Sequence, residues 1–158
     1  MRMKKNNQTS QLPANNYNEH SWIIGKPNIG KGTWVGAFTI IDGSGGLKIG
    51  KNCDISCGVH IYTHSTAKRC VENKRFNKEG TINRKSIERK KVEIGDNTFI
   101  GPNSVINMGV KIGHHCIIGA CSVVTKDVPP FSFVAGTPAK IKGKIIFDKN
   151  NRMTIKYL

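Results

Sequence analysis

An aliphatic residue returns every six positions along most of the chain, and glycine usually follows it. The first run holds Ile29-Gly30, Val35-Gly36 and Ile41-Asp42, after which a glycine-rich step, Gly43-Ser44-Gly45-Gly46, shifts the phase by two residues. The pattern resumes at Ile49-Gly50, Ile55-Ser56 and Ile61-Tyr62. After a break, Ile94-Gly95, Ile100-Gly101, Ile106-Asn107, Ile112-Gly113, Ile118-Gly119 and Val124-Thr125 follow without slippage. Four residues after each aliphatic stands a small or β-branched residue: Thr33, Thr39, Cys53, Val59, Ser65, Thr98, Ser104, Val110, Cys116, Ser122 and Val128. A period of six is neither the 3.6 of a helix nor the two-residue alternation of an antiparallel sandwich. Each hexad reads as one flat side of a triangular coil, with three hexads to the turn and very short strands on the sides. Coils stacked at about 4.8 Å pair every backbone group with the coil above or below, and about four of them make a prism roughly 20 Å tall.

Composition agrees with so thin a core. The 158 residues amount to about one domain; 37% are hydrophobic, and 17 glycines speak against a long helical bundle. The expectation is one all-β domain over 1–158, with an irregular N-terminal segment (1–22), a protruding loop (66–91) and a short C-terminal extension (142–158). Pro129-Pro130 is expected to end the regular coil. Five cysteines, with no Cys-x-x-Cys pair, fit neither a full disulfide framework nor a zinc knuckle. Cys53 and Cys116 fall in the small-residue slot and are expected to pack as compact buried thiols; Cys57 and Cys121 lie near corners, and Cys70 in the loop. No apolar run reaches the length of a membrane span, and the N-terminus lacks a secretory apolar region, so the expected location is cytoplasmic.

The formal charge of +15 and a pI near 9.9 first suggest nucleic acid or anionic lipid as a partner. Its distribution changes that picture. Residues 1–5 carry +3, 6–65 carry +1, 66–91 carry +7, 92–139 carry −1 and 140–158 carry +5. The coil body is nearly neutral, and the charge sits in the loop and two tails. A long loop inside a compact domain is usually a lid or a binding element. Phe76, Ile82 and Ile87 suggest that this one packs against a neighbouring subunit or a substrate.

Immediately before the loop stands Gly58-Val59-His60-Ile61-Tyr62-Thr63-His64-Ser65. A histidine at that boundary is held by a rigid coil yet opens on a cleft, and imidazole titrates nearest to neutrality, as proton removal from a hydroxyl or amine requires. His64 is the first candidate for a base, with His60 as a second candidate or a substrate contact. His114-His115 reads as a solvent-facing bend. A non-catalytic scaffold that binds anionic polymer through the basic loop is the rival of another class, although few aromatics are interleaved with the bases and no nucleic-acid motif is present.

The hexads resemble the hexapeptide-repeat (isoleucine-patch) transferases, whose fold is a left-handed parallel β-helix. From roughly Ile23 to Ile141 the chain looks like their sugar and xenobiotic O-acetyltransferases, in which the histidine ending a coil before an extended loop is the general base; that role falls on His64. The resemblance is most specific from Ile118 to Ile141. It implies acetyl-CoA as acyl donor, with backbone amides near Gly101, Gly119 and Ala120 along the pantetheine arm. Thr125, Lys126, Lys140, Lys142 and Lys144 would lie toward the nucleotide and its 3′-phosphate. His60, Tyr62, Arg69, Lys74, Arg75 and Arg84 are the corresponding candidates for the acceptor, a sugar or nucleotide-linked sugar, and a homotrimer with clefts between subunits is implied. N-acetylation of an amino sugar is the enzymatic alternative. No metal is expected, because the histidine spacing differs from that of the γ-class carbonic anhydrases, which share the fold. Two positions depart from the family pattern: Phe99 and Pro102 stand where relatives often carry Trp and Ser, and Pro102 has no N–H for an oxyanion, leaving Asn103, another amide or water for that task.

Overall fold

The computed structural model describes residues 17–158. The segment expected to be irregular therefore lies outside the described residues except for its last few, and of these Trp22 already begins the first strand. Parallel strands of two or three residues stack into three faces. The first face holds Trp22–Ile24, Ile40–Asp42, His60–Ile61, Val105–Ile106 and Val123–Val124. The second holds Asn28–Ile29, Leu47–Ile49, Val92–Ile94 and Lys111–Ile112. The third holds Trp34–Val35, Asp54–Ile55, Phe99–Ile100, Ile117–Ile118 and Ser132–Gly136.

The register explains the sixfold pattern. Ile23, Ile41, Ile61, Ile106 and Val124 stack in one column, and Val35, Ile55, Ile100, Ile118 and Val134 in another. From Val35 to Val124 every hexad aliphatic is at most 3% exposed, and burying such side chains supplies about 1.5–3 kcal/mol each. The small-residue slot does more than fill space. Thr33, Thr98 and Ser104 donate to the Gly50, Gly113 and Gly119 carbonyls of the next coil at 2.7, 3.1 and 2.9 Å. The thiols of Cys53 and Cys116 do the same toward Gly95 and Pro129, each at 3.2 Å. Thr39 breaks the series, because its buried hydroxyl has no hydrogen-bond partner among the described residues.

Corners need a left-handed residue three positions after the aliphatic. On the edge between the second and third faces that column is Gly32, Asn52, Asn97, His115 and Phe131, with φ of +77, +53, +54, +55 and +57°. Asparagine and glycine tolerate this region; phenylalanine does so at a cost in strain. His114-His115 is thus a bend, as expected, but it also has packing work. His115 stacks on Phe131 at 5.1 Å and meets Phe147 edge-on at 5.8 Å.

One expectation about the last coil needs correction. Pro129-Pro130 does not end the coil, since Val128 still bridges to Ile112 and Ser132–Gly136 pairs in parallel with Ile117–Ile118. In the C-terminal extension, Ala139–Phe147 and Met153–Tyr157 add antiparallel strands to the third face and bury Ile145. The insert contains a short helix, Ala67–Val71, a 3-10 turn, Arg84–Ser86, and a strand, Glu88–Arg89, paired antiparallel with His64–Ser65. No helix among the described residues is long and apolar enough to cross a membrane.

Outward positions differ sharply between faces. The first presents Trp22, Ile40, His60, Val105 and Val123, and the third Trp34, Asp54, Phe99, Ile117 and Phe133. The second presents Asn28, Lys48, Glu93 and Lys111. Two faces are therefore mainly apolar and one is charged.

Candidate active site

The glycine-rich step and the insert leave the coil at the same edge, between the first and second faces, one coil apart. Glycine is required there: a Cβ on Gly45 would collide with the Thr63 carbonyl, and the Gly45 N–H donates to the Thr63 hydroxyl at 2.8 Å. The two residues that break the period thereby let Asp42 reach across to the coil that ends at His64.

Asp42 is fully buried. One carboxylate oxygen accepts the Thr63 N–H at 2.9 Å, the Thr63 hydroxyl at 2.9 Å and His64 Nδ1 at 2.6 Å; the other accepts the Ser44 N–H at 2.9 Å. Burial alone would raise the carboxyl pKa, but the hydrogen bonds from Ser44, Thr63 and His64 outweigh it and hold the group well below the usual carboxylate range. An ionised carboxylate only accepts, so Nδ1 of His64 carries a proton, and in the neutral ring the lone pair is on Nε2. The His64 side chain is about one-third exposed. It lines a hollow of about 380 Å³ with Tyr62, Ser65, Asn107, Met108 and Thr125. This is the geometry of a base held in one tautomer by a buried anion.

Asp42, Ser44 and Thr63 were not among the candidates read from the sequence. The available signal was Asp in place of glycine after Ile41, directly before the phase shift.

Other candidates separate into groups. Tyr62 and Thr125 join His64, whereas His60 lies on the first face with its Nδ1 3.3 Å from the Tyr62 hydroxyl. Lys126 and Lys140 line a second hollow, of about 330 Å³, beside Ala139 and Ile141; Lys142 is exposed on the same strand as Lys140. Arg69 and Lys74 line a hollow of about 270 Å³ within the insert, while Arg75 lies over Phe76 and Arg84 begins the 3-10 turn. None of these four bases lines the His64 hollow. Another hollow, of about 670 Å³, lies on the charged second face, and His64 is not among its lining residues.

Gly101, Gly119 and Ala120 occupy a different edge, between the third and first faces. A Cβ on Gly101 would lie 2.6 Å from the Ala120 nitrogen, so the close stacking there depends on glycine. Of the amides nearby, Pro102 has none and Asn103 spends its own on the Cys57 carbonyl at 3.1 Å. Ala120 is exposed, and its N–H donates to no protein acceptor among the described residues. Among the described residues no three His, Cys, Asp or Glu side chains converge as metal ligands.

Comparison with known proteins gives the lineage. Residues 28–63 match the hexapeptide repeat of succinyl-transferase, and residues 91–126 match the bacterial transferase hexapeptide (six repeats). Galactoside O-acetyltransferase of Escherichia coli is 50% identical over 50 residues, 32% of this chain and 25% of that one. Across the curated relatives compared, the match spans 22–32% of their own length. A hexapeptide-repeat acetyltransferase of Vibrio cholerae, solved with acetyl coenzyme A, is 32% identical with a TM-score of 0.60, covering 75% of this chain and 60% of that one. AntD, an N-acyltransferase of Bacillus cereus solved with dTDP and coenzyme A, shares the fold at 22% identity and a TM-score of 0.67, covering 79% and 67%. Its stacked six-residue coils form a left-handed parallel β-helix, and its repeats are those of the hexapeptide-repeat transferases to which it is similar.

Proposed function

We propose that the protein transfers an acetyl group from acetyl-CoA to a hydroxyl of a sugar or sugar-containing acceptor. The observation that carries this reading is the His64–Asp42 pair, a base of fixed tautomer at the mouth of a hollow. His64 Nε2 removes the acceptor proton as its oxygen attacks the thioester carbon; the tetrahedral intermediate collapses to the acetyl ester, and the departing thiolate takes the proton back from His64. Buried Asp42 stabilises the imidazolium in between. Tyr62 borders the acceptor side of the hollow and Thr125 the donor side.

The free Ala120 N–H is the best candidate for the oxyanion donor, given that Pro102 and Asn103 have none to offer. Ala120 and His64 lie on opposite edges of the first face, about 15 Å apart for a side of five or six extended residues. A site using both must form between copies, the His64 edge of one protomer meeting the Ala120 edge of the next. Closed three-fold packing does this and shelters the apolar faces while leaving the charged face in water. Lys126, Lys140 and Lys142 then sit near the nucleotide end of the donor.

Released coenzyme A, followed against a panel of sugars and nucleotide sugars, tests the activity. His64→Ala that folds and assembles normally should lose acetyl transfer; near-normal turnover in that variant would sink the reading.

A further inference from the structure

The edge between the third and first faces holds more than the Ala120 amide. Its turns are made by Phe38, Gly58, Asn103 and Cys121, all left-handed, with φ of +60, +70, +58 and +56°. Backbone bonds fix their stacking: the Gly58 N–H donates to the Ala37 carbonyl, that of Asn103 to Cys57 and that of Cys121 to Pro102, at 2.9, 3.1 and 2.9 Å. Phenylalanine is strained at such a turn, where glycine and asparagine are tolerated. Burial does not offset the strain, because Phe38 is 70% exposed, with the His20 ring behind it at 5.8 Å. Strain kept at an exposed ring points to a ligand. Beside this corner, on the third face, Trp34 is 49% exposed and pairs in register with Asp54 of the next coil. Asp54 is exposed, and its carboxylate has no hydrogen-bond or ion-pair partner among the described residues.

The place of this cluster identifies the ligand. With Lys126 and Lys140 toward the nucleotide and Ala120 at the thioester, as proposed, the donor descends the edge and the acceptor lies further down, toward Phe38. Phe38 leads into the strand that ends at Asp42, one coil below His64, and copies related by an axis along the coils keep the same levels. The corner is therefore one to two coils, about 5–10 Å, below the level of His64. Opposite it the His64 edge offers Gly25 and Gly43-Ser44-Gly45-Gly46, which leave room for a ring. A pyranose is about one coil spacing across, so the ring that gives its hydroxyl to His64 fills the interval beside Cys57 and Gly58. A second ring linked to it reaches Phe38 and Trp34. Sugar C–H groups pack on the negative face of an aromatic ring, and sugar hydroxyls donate to a carboxylate. A nucleotide would stack on the same rings, but its diphosphate would meet Asp54 on a face whose outward column, Trp34, Asp54, Phe99, Ile117 and Phe133, has no cation. We propose that the acceptor is an uncharged oligosaccharide or glycoside of at least two rings, the ring beyond the acetylated one stacking on Phe38 and Trp34 with a hydroxyl on Asp54. This subsite presupposes the proposed acetyl transfer and the pairing of edges that it requires.

The test is coenzyme A release by the full chain with matched acceptors, methyl hexosides against methyl glycosides of disaccharides built from the same hexoses, and with nucleotide sugars alongside. The expected result is a kcat/KM about tenfold higher for the disaccharide than for the hexoside of an accepted pair. Phe38→Asn should bring that ratio to about twofold or less, and Asp54→Ala should lower it about threefold. Asparagine already turns the coil at Asn52, Asn97 and Asn103, so Phe38→Asn relieves strain and its Tm should not fall; Asp54→Ala, which removes no partnered group, keeps the test informative on its own. The proposal is overturned if the unaltered chain handles hexoside and disaccharide alike, or if both variants keep its ratio. A Phe38→Asn variant that loses both acceptors equally, or that separates the copies, also overturns it, since the corner then packs against a neighbouring copy. Turnover of nucleotide sugars alone overturns this subsite and leaves acetyl transfer standing, whereas turnover of no sugar at all overturns both.

Discussion

Replacing Asp42 by Asn should slow acetyl transfer about tenfold, and replacing it by Ala should do far more. Four hydrogen bonds end on the carboxylate, three of them on the oxygen that faces Thr63 and His64. Asparagine keeps most of them by placing its amide oxygen there and turning its NH₂ toward the Ser44 N–H, a donor against a donor, at about 1 kcal/mol of stability. His64 then stays oriented with Nε2 available, but the imidazolium formed during transfer loses its counter-charge at 2.6 Å. A hydrogen bond to a charged partner is worth about 1 kcal/mol more than a neutral one, and 1.4 kcal/mol is a factor of ten in rate. Alanine removes orientation as well, so the loss should approach the 10²–10⁴, or about 2.7–5.5 kcal/mol, that a general base supplies. The assay is initial-rate release of coenzyme A at saturating donor, with the loss expected in kcat and little change in KM for acetyl-CoA. Neither substitution should slow His64→Ala further, because Asp42 acts through that ring. Rates within twofold of the unaltered protein in both Asp42 variants, or losses that add fully to that of His64→Ala, would refute the reasoning.

Asp42 also predicts an acid limb of stability. Its folded-state pKa is depressed, so its contribution is complete above about pH 5 and is lost as pH falls below about 4, the unfolded value; thermal melts of Asp42→Asn between pH 6 and 3 should show a shallower acid decline. Thr39→Val removes the unpartnered hydroxyl and places in that slot the side chain already found at Val59, Val110 and Val128. It should stabilise by about 1 kcal/mol and raise Tm by about 2–4 °C, and an unchanged or lower Tm counts against the slot reading. Burial raises the Cys53 and Cys116 thiols, so a thiol reagent near neutral pH should titrate the three exposed cysteines, Cys57, Cys70 and Cys121, quickly and the other two only after denaturation. A native titration that reaches five would contradict the packing.

The coils were legible because one period governs both burial and stacking: Ile41 lies against Ile61, and Ile61 against Ile106, by the same rule that made them recur. That rule also held the clue to the site. Stacking puts Asp42 beside Tyr62, one and two residues short of Thr63 and His64, and the two extra residues after Asp42 open the edge where they meet. Reading hexads singly points to the histidine and misses the carboxylate, because the contact belongs to the next coil. The C-terminal strands were hidden differently. Lys140, Lys142 and Lys144 alternate with Ile141, Gly143 and Ile145, a strand pattern whose basic half drew attention to phosphate while its other half buries Ile145 and seats Gly143 against Lys156.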